Sequence, residues 1–300
     1  MGASGISPAP SSSRDISRGL PVPIMHLARR ALAAICALCL AACTTLAVGS
    51  AEPAVRSVRI ATAGGMADAI LAVPEGPGSH PAVILWPDLS GLRPSYRELA
   101  GKLAGEGFVV LVPNSFHRSI ALDGSAATAQ PVLPFGEVMR RGAPWREAAD
   151  DAAIMADAQA YARYLDTLPQ VDGDAGLGTL GVDIGGAHAF LAARALPERV
   201  RAVAAIHPLA IATSRENSPH LFVAQSRAQY LIEIARPDDE REPGDKDDLR
   251  TAFADAGLAS RIDIVDAGHG YFMPDDPAFD SDLAEAGFGK IVALFEEALE

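Results

Sequence analysis

The chain has 300 residues, 49% of them hydrophobic, enough for one large packed domain and too apolar for a disordered or low-complexity chain. Lys and Arg number 25 against 38 Asp and Glu, a net charge of −13 that offers no basic footprint for a phosphate backbone and excludes nucleic-acid partners.

Residues 1–24 are rich in Ser, Pro and Gly and precede Met25-His26-Leu27-Ala28-Arg29-Arg30 and the apolar run 31–42. A charged segment followed by a short apolar one reads as an export signal, too short to span a bilayer stably, with Met25 as its natural start. All three cysteines, Cys36, Cys39 and Cys43, lie in or beside this segment, so the rest of the chain carries neither a disulfide framework nor a cysteine metal site. Leu40-Ala41-Ala42-Cys43 resembles the bacterial lipoprotein box, in which the Cys becomes the lipidated first residue of the mature chain. Lipidation at Cys43 implies a membrane-anchored protein outside the cytoplasm, and an ordinary cleaved signal is the alternative. Loss of residues 1–42 removes four Arg and one Asp, leaving 21 basic against 37 acidic residues and a charge of −16. The expected organisation is extension and signal over 1–42, a tether over 43–53 and one domain over 54–300.

From residue 54 the hydrophobic period switches repeatedly between two and 3.6. Strands are expected over 55–62 and 67–73, joined at Gly64-Gly65 as a hairpin, then a strand over 82–86, a helix from Pro94 and a strand over 108–112. Residues 115–143 read as irregular, and Pro144 is taken to open a long helix carrying Ile154, Ala158, Tyr161 and Leu165 on one stripe. A strand over 179–182, a helix over 185–195, strands over 203–206 and 231–235, a helix over 247–256, a strand over 262–265 and a helix over 283–299 complete the pattern. Strands alternating with helices predict an α/β domain with a mostly parallel, doubly covered sheet.

In such sheets the working residues lie in loops at the carboxyl ends of strands. Gly181-Val182-Asp183-Ile184-Gly185-Gly186 has the shape of a nucleophile elbow, with Asp at its centre. Asp183, Asp238 and His269 follow the order nucleophile position, acid, histidine that α/β-hydrolases use. Asp239 and Glu240 are rival acids to Asp238. His188 reads as a packed or partly exposed helix residue, and His207 follows a strand and could line the pocket but has no partner for a metal. His117 and Arg118 could border the pocket, and Tyr271 and Phe272 could either wall it or pack the loop. No cofactor or metal is implied, and the partner is a small-molecule substrate.

The segments PAVILWPDLSGLRPSYRELAGKLAGEGFVVLVPNSFHR, GTLGVDIGGAHAFLAAR and DAGHGYFMPDDPAFD together resemble the dienelactone hydrolase family over nearly the whole body. That resemblance implies an α/β-hydrolase fold without a large cap and hydrolysis of small esters or lactones. It places Asp88 at the family's elbow-facing Glu, Asp238 as triad acid, His269 as base, and the Leu89 and Ile184 N–H groups as the oxyanion hole. The family carries Cys where this chain has Asp183, and its founding members carry a substrate-binding Arg where Met273 stands. A carboxylate attacks saturated carbon well but acyl carbon poorly, because the resulting anhydride mostly reverts. Asp183 is therefore consistent with a His269-activated water at an acyl carbon, with an Asp nucleophile acting on epoxides or alkyl halides, or with a binding protein that has lost turnover.

Overall fold

The computed structural model describes residues 53–299. The export signal, Cys43 and all but the last residue of the expected tether lie outside the described residues.

The domain opens with β1 (Ala54–Thr62) and β2 (Gly65–Val73), paired antiparallel with Thr62 opposite Gly65. Gly65 turns the hairpin at φ 117°, which a side chain would resist. Then follow β3 (Ala82–Trp86), α1 (Pro94–Gly105), β4 (Val109–Pro113), α2 (Phe135–Ala148), α3 (Asp151–Leu165), β5 (Leu177–Val182), α4 (Gly185–Ala195) and β6 (Val200–Ile206). β7 (Gln229–Ala235), α5 (Arg236–Arg241), α6 (Asp245–Ala256), β8 (Ser260–Val265) and α7 (Ser281–Leu299) complete the chain.

The strands form one sheet in the order β1-β2-β4-β3-β5-β6-β7-β8, antiparallel across β1, β2 and β4 and parallel from β4 through β8. This is the α/β-hydrolase architecture. Because β4 and β5 flank β3 on opposite sides, the chain reverses its direction of progress across the sheet there, opening a crevice at the carboxyl ends of β3 and β5.

The pleat divides the core into two layers. Ala82, Ile84 and Trp86 of β3 face one layer with Ile154, Tyr161, Phe190 and Phe253, while Val83 and Leu85 face the other with Tyr96, Leu103, Ile291 and Phe295. The central strands are accordingly apolar on both faces, as a doubly covered parallel sheet requires.

The medial segment corrects the sequence reading. Pro144 lies inside α2, and the long helix begins at Asp151, where the Asp150 side chain accepts the Ala153 N–H at 2.8 Å. A carboxylate cap satisfies an orphan donor of the first turn, which a proline cannot do. Residues 135–143, expected to be irregular, are helical because Val138, Met139 and Trp145 pack onto the core. Between β6 and β7 the described chain holds one 3-10 helix, Pro219–Gln225, and no cap domain. No described helix is long and apolar enough to cross a membrane.

Candidate active site

Asp183 sits between β5 and α4 with φ 55°, in the left-handed region where Asp is better tolerated than most side chains. The glycines around it are required by space. A Cβ on Gly181 would stand 2.0 Å from the Gly185 carbonyl oxygen, and one on Gly185 would stand 2.2 Å from that of Trp86. The turn is pinned by the Asp183 N–H donating to Ile206 O at 3.1 Å and by Gly186 and Leu209 N–H donating to Asp183 O at 3.0 and 3.1 Å.

His269 joins three strand ends. Its Nδ1 donates to Asp238 Oδ2 at 2.7 Å, and its Nε2 lies 3.4 Å from Asp183 Oδ1. Asp239, one of the rival acids, turns away and pairs with Lys246 at 2.6 Å, so of these two neighbours it is Asp238 that bonds the histidine. Arg241 bonds the other Asp238 oxygen at 2.7 Å.

The two carboxylates set the charge of the histidine. Burial opposes the cation, but hydrogen bonds and charge from Asp183 and Asp238 outweigh it and lift His269 to about 10. At neutral pH His269 is an imidazolium. In turn, burial pushes Asp183 up, yet the hydrogen bond and charge of His269 hold it below the usual carboxylate range, as they do Asp238. The resting site is thus an anion–cation–anion row.

The Leu89 N–H, one of the two oxyanion donors expected from the resemblance, donates to Asp183 Oδ2 at 3.3 Å. A backbone hydrogen bond from Ile184, the second donor, also helps hold Asp183 ionised. The carboxylate of the elbow therefore occupies the donors itself.

Asp88 lines the same cleft as Asp183, but its oxygens are engaged elsewhere. Oδ1 accepts from Arg93 Nη1 at 2.5 Å and from the Ser90 N–H at 2.8 Å, and Oδ2 accepts from the Tyr96 hydroxyl at 2.8 Å. Burial still raises its pKa, assisted by the Asp183 charge and opposed by Arg93. Sequence reasoning missed Arg93 and Tyr96, which look like an ordinary loop and helix start.

The remaining histidines separate. His188 is buried against Trp86 and Phe116, as the sequence reading had it. His117 and Arg118 are absent from the cleft wall: Arg118 pairs bidentately with Asp157 at 2.5 and 2.9 Å, and His117 bonds Thr62. His207 does line the cleft, 4.6 Å from the His269 ring. Tyr271 lies beneath the loop, its hydroxyl donating to buried Glu233 at 2.6 Å. The cleft itself encloses about 370 Å³, with apolar walls from Val132, Leu133, Val138, Met139, Leu209 and Met273. Among the described residues no group of three or more His, Cys, Asp or Glu is placed to hold a metal.

A strained elbow, a histidine backed by an acid and backbone donors facing one cleft form a hydrolytic frame, and the comparisons agree with it. A Bradyrhizobium protein described as "Probable 2-oxo-3-(5-oxofuran-2-ylidene)propanoate lactonase" is 30% identical over 186 residues, 62% of this chain and 69% of its own. A Rhodococcus opacus carboxymethylenebutenolidase is 28% identical over 231 residues, 74% of this chain and 83% of its own. The fold is shared with a dienelactone hydrolase-like promiscuous phosphotriesterase from metagenomic libraries, at a TM-score of 0.66 and 19% identity, over 83% of this chain and 100% of that one. Residues 67–299, which include the carboxyl ends of all seven strands after β1 and the whole Asp183, Asp238 and His269 row, match the dienelactone hydrolase family; the chain belongs to that family and is a hydrolase.

Proposed function

We propose that the enzyme opens small lactones and activated esters, with Asp183, His269 and Asp238 as its working groups, and that a lipid on Cys43 holds it at a membrane outside the cytoplasm. The observation that carries the first part is the ion row at the cleft. His269, raised to about 10, is an acid at neutral pH, and Asp183, held low beside it, is a weak base. Such a pair works best where the leaving oxygen is already a stable anion, as in an enol lactone or an aryl ester. The entering carbonyl oxygen takes the Leu89 N–H from Asp183 Oδ2. Water adds to the carbonyl carbon while Asp183 accepts its proton, the ring C–O bond breaks, and the leaving oxygen takes the Nε2 proton of His269. Asp183 then returns its proton to His269. The two relatives named for a lactonase and a butenolidase support a lactone substrate.

A series of substituted phenyl acetates tests this reading. The rate should rise steeply as the phenol becomes more acidic, and Asp183→Asn and His269→Gln should each lose at least about 100-fold, roughly 2.7 kcal/mol of barrier. An Asp183→Asn enzyme with wild-type rates overturns it.

The hold of the Leu89 N–H on Asp183 Oδ2 favours a second reading, attack by Oδ1 on a saturated carbon. Esterification would remove the Asp183 charge, release His269 toward its ordinary basicity, and leave Oδ2 already against its donor for hydrolysis of the ester. Single turnover in ¹⁸O-water separates the two readings, since only this second route leaves label in Asp183.

The anchor rests on the Arg29-Arg30, apolar run and Leu40-Ala41-Ala42-Cys43 pattern. Wild-type protein should fractionate with membranes and carry a lipid-modified Cys43, and Cys43→Ser should block processing or release a soluble form. Unmodified, wholly soluble wild type refutes the anchor.

A further inference from the structure

His207 is the first residue after β6 and one of the few polar side chains in the cleft with no role so far. It is 2% exposed, and neither ring nitrogen has a hydrogen-bond partner among the described residues. A buried polar group left in that condition typically costs about 1–3 kcal/mol. Its backbone adds to this, with φ 35°, in the left-handed region that disfavours any residue bearing a Cβ. The conformation is nevertheless held firmly, by its own N–H donating to Glu233 O at 2.7 Å and by the Leu209 N–H donating to Asp183 O at 3.1 Å. The fold thus keeps an unpaired imidazole in place, edge-on to His269 at 4.6 Å and 65°, with the Tyr271 ring also edge-on at 5.7 Å. Packing alone gives no reason for a histidine here, since an apolar side chain would fill the same space without orphaned nitrogens.

The ring is uncharged at neutral pH. Burial holds it down to about 4, and the adjacent His269 cation acts in the same direction against the weaker pull of Asp183 and Asp238. A neutral imidazole presents one donor and one acceptor, so it pairs with a carbonyl, hydroxyl or amide. The charges around it narrow the choice. Asp88, Asp183 and Asp276 line the cleft with His269, and no Lys or Arg is among the described lining residues. The His269 cation in this wall is already engaged by Asp183 and Asp238, so an anionic ligand would meet the carboxylates at close range in a partly desolvated space.

We propose that His207 is a specificity-determining residue that binds an uncharged polar group of the substrate, in a cleft that selects against substrates bearing a carboxylate. The proposal deepens the reading of this cleft as the substrate site. Its test therefore reads binding, separately from turnover.

δ-Valerolactam is a neutral ring amide that stands in for a lactone, and glutarate is a dianion of similar length. Titrating each into the whole folded protein while following the imidazole ¹H–¹⁵N signals should show saturable lactam shifts at His207, with glutarate binding at least about tenfold more weakly, a difference of roughly 1.4 kcal/mol. His207→Leu should lose lactam binding by a similar factor. His207→Asn should keep most of it, because Asn retains a donor and an acceptor and tolerates positive φ. Thermal melts report whether each variant is folded, and the wild-type shifts decide the matter if His207→Leu is not. The proposal is overturned if wild type does not bind the lactam, if glutarate binds as well, or if folded His207→Leu binds the lactam like wild type. Lactam binding at His207 without hydrolysis of any ester or lactone would defeat the substrate reading and leave this one standing; the reverse result would defeat this one alone.

Discussion

At Asp183 one side chain meets two demands that usually fall on different atoms. Its Oδ1 faces the His269 cation and its Oδ2 covers the Leu89 donor. Replacement by Cys removes the second carboxylate from His269 and frees the Leu89 and Ile184 N–H groups, while placing a thiol beside an imidazole that Asp238 still orients. Asp183→Cys should gain hydrolysis of 4-nitrophenyl acetate over wild type by more than about tenfold, which ~1.4 kcal/mol of barrier represents. The gain should vanish in the double variant with His269→Ala. A folded Asp183→Cys with an unreactive thiol and no added activity would mean that the backbone donors are not placed for a tetrahedral intermediate.

Among elements, the loop after β3 and the loop carrying His269 are joined by one guanidinium. Arg93, 2% exposed, donates from Nη1 to Asp88 Oδ1 at 2.5 Å, from Nε to Asp275 Oδ2 at 2.8 Å and from Nη2 to Asp275 Oδ1 at 3.1 Å. Ser95, in the first turn of α1, adds a bond to Asp275 Oδ2 at 2.9 Å, and the Tyr96 ring lies 5.2 Å from the guanidinium carbon. Removing the cation strands Asp88 in an interior that already raises its pKa. Breaking a buried pair in this way costs ~3–5 kcal/mol, and the low end applies here because Asp275, with a side chain 36% exposed, can rehydrate. Arg93→Met should lower the urea midpoint accordingly with little change in slope. Arg93→Lys should recover only part of the loss, since an ammonium cannot span both carboxylates with the same planar fork. An unchanged midpoint in Arg93→Met would show that the two loops are held independently.

For the molecule as a whole, three histidines give stability a maximum. His188 and His207 are held down to about 4 by burial, against an ordinary value of 6.5. Between those limits the unfolded chain binds more protons than the folded one, so stability falls as pH drops from 6.5 toward 4. His269 behaves in the opposite sense. With its folded value raised to about 10, the folded chain binds more protons between 6.5 and 10, and the stability this contributes is lost as pH rises through that window. Urea midpoints measured across this range should therefore peak near pH 6 to 7, around the ordinary histidine value. A midpoint still rising at pH 9 would show that His269 is neutral in the folded enzyme.

Features set by neighbours a few residues apart were legible in the sequence. The alternation of strand and helix follows from local hydrophobic period, and the elbow from glycines two residues either side of Asp183; the expectation of an acid beside His269 comes instead from their order along the chain and the family resemblance. Tertiary structure decided what depends on side chains brought together from distant strands. Asp238 and Asp239 are adjacent on one short helix, and only its placement beside the His269 loop sends the first to the histidine and the second to Lys246. Asp88 is occupied by Arg93, whose other partner, Asp275, comes from the far end of the chain. The start of the long helix moved from Pro144 to Asp151 because packing made a helix of the segment before it and a side-chain cap was available at Asp150. The charge of His269 and the neutrality of His207 were likewise beyond sequence reading, because a pKa is set by burial and by charges a few ångströms away, and both exist only once the sheet has gathered its loops at one edge.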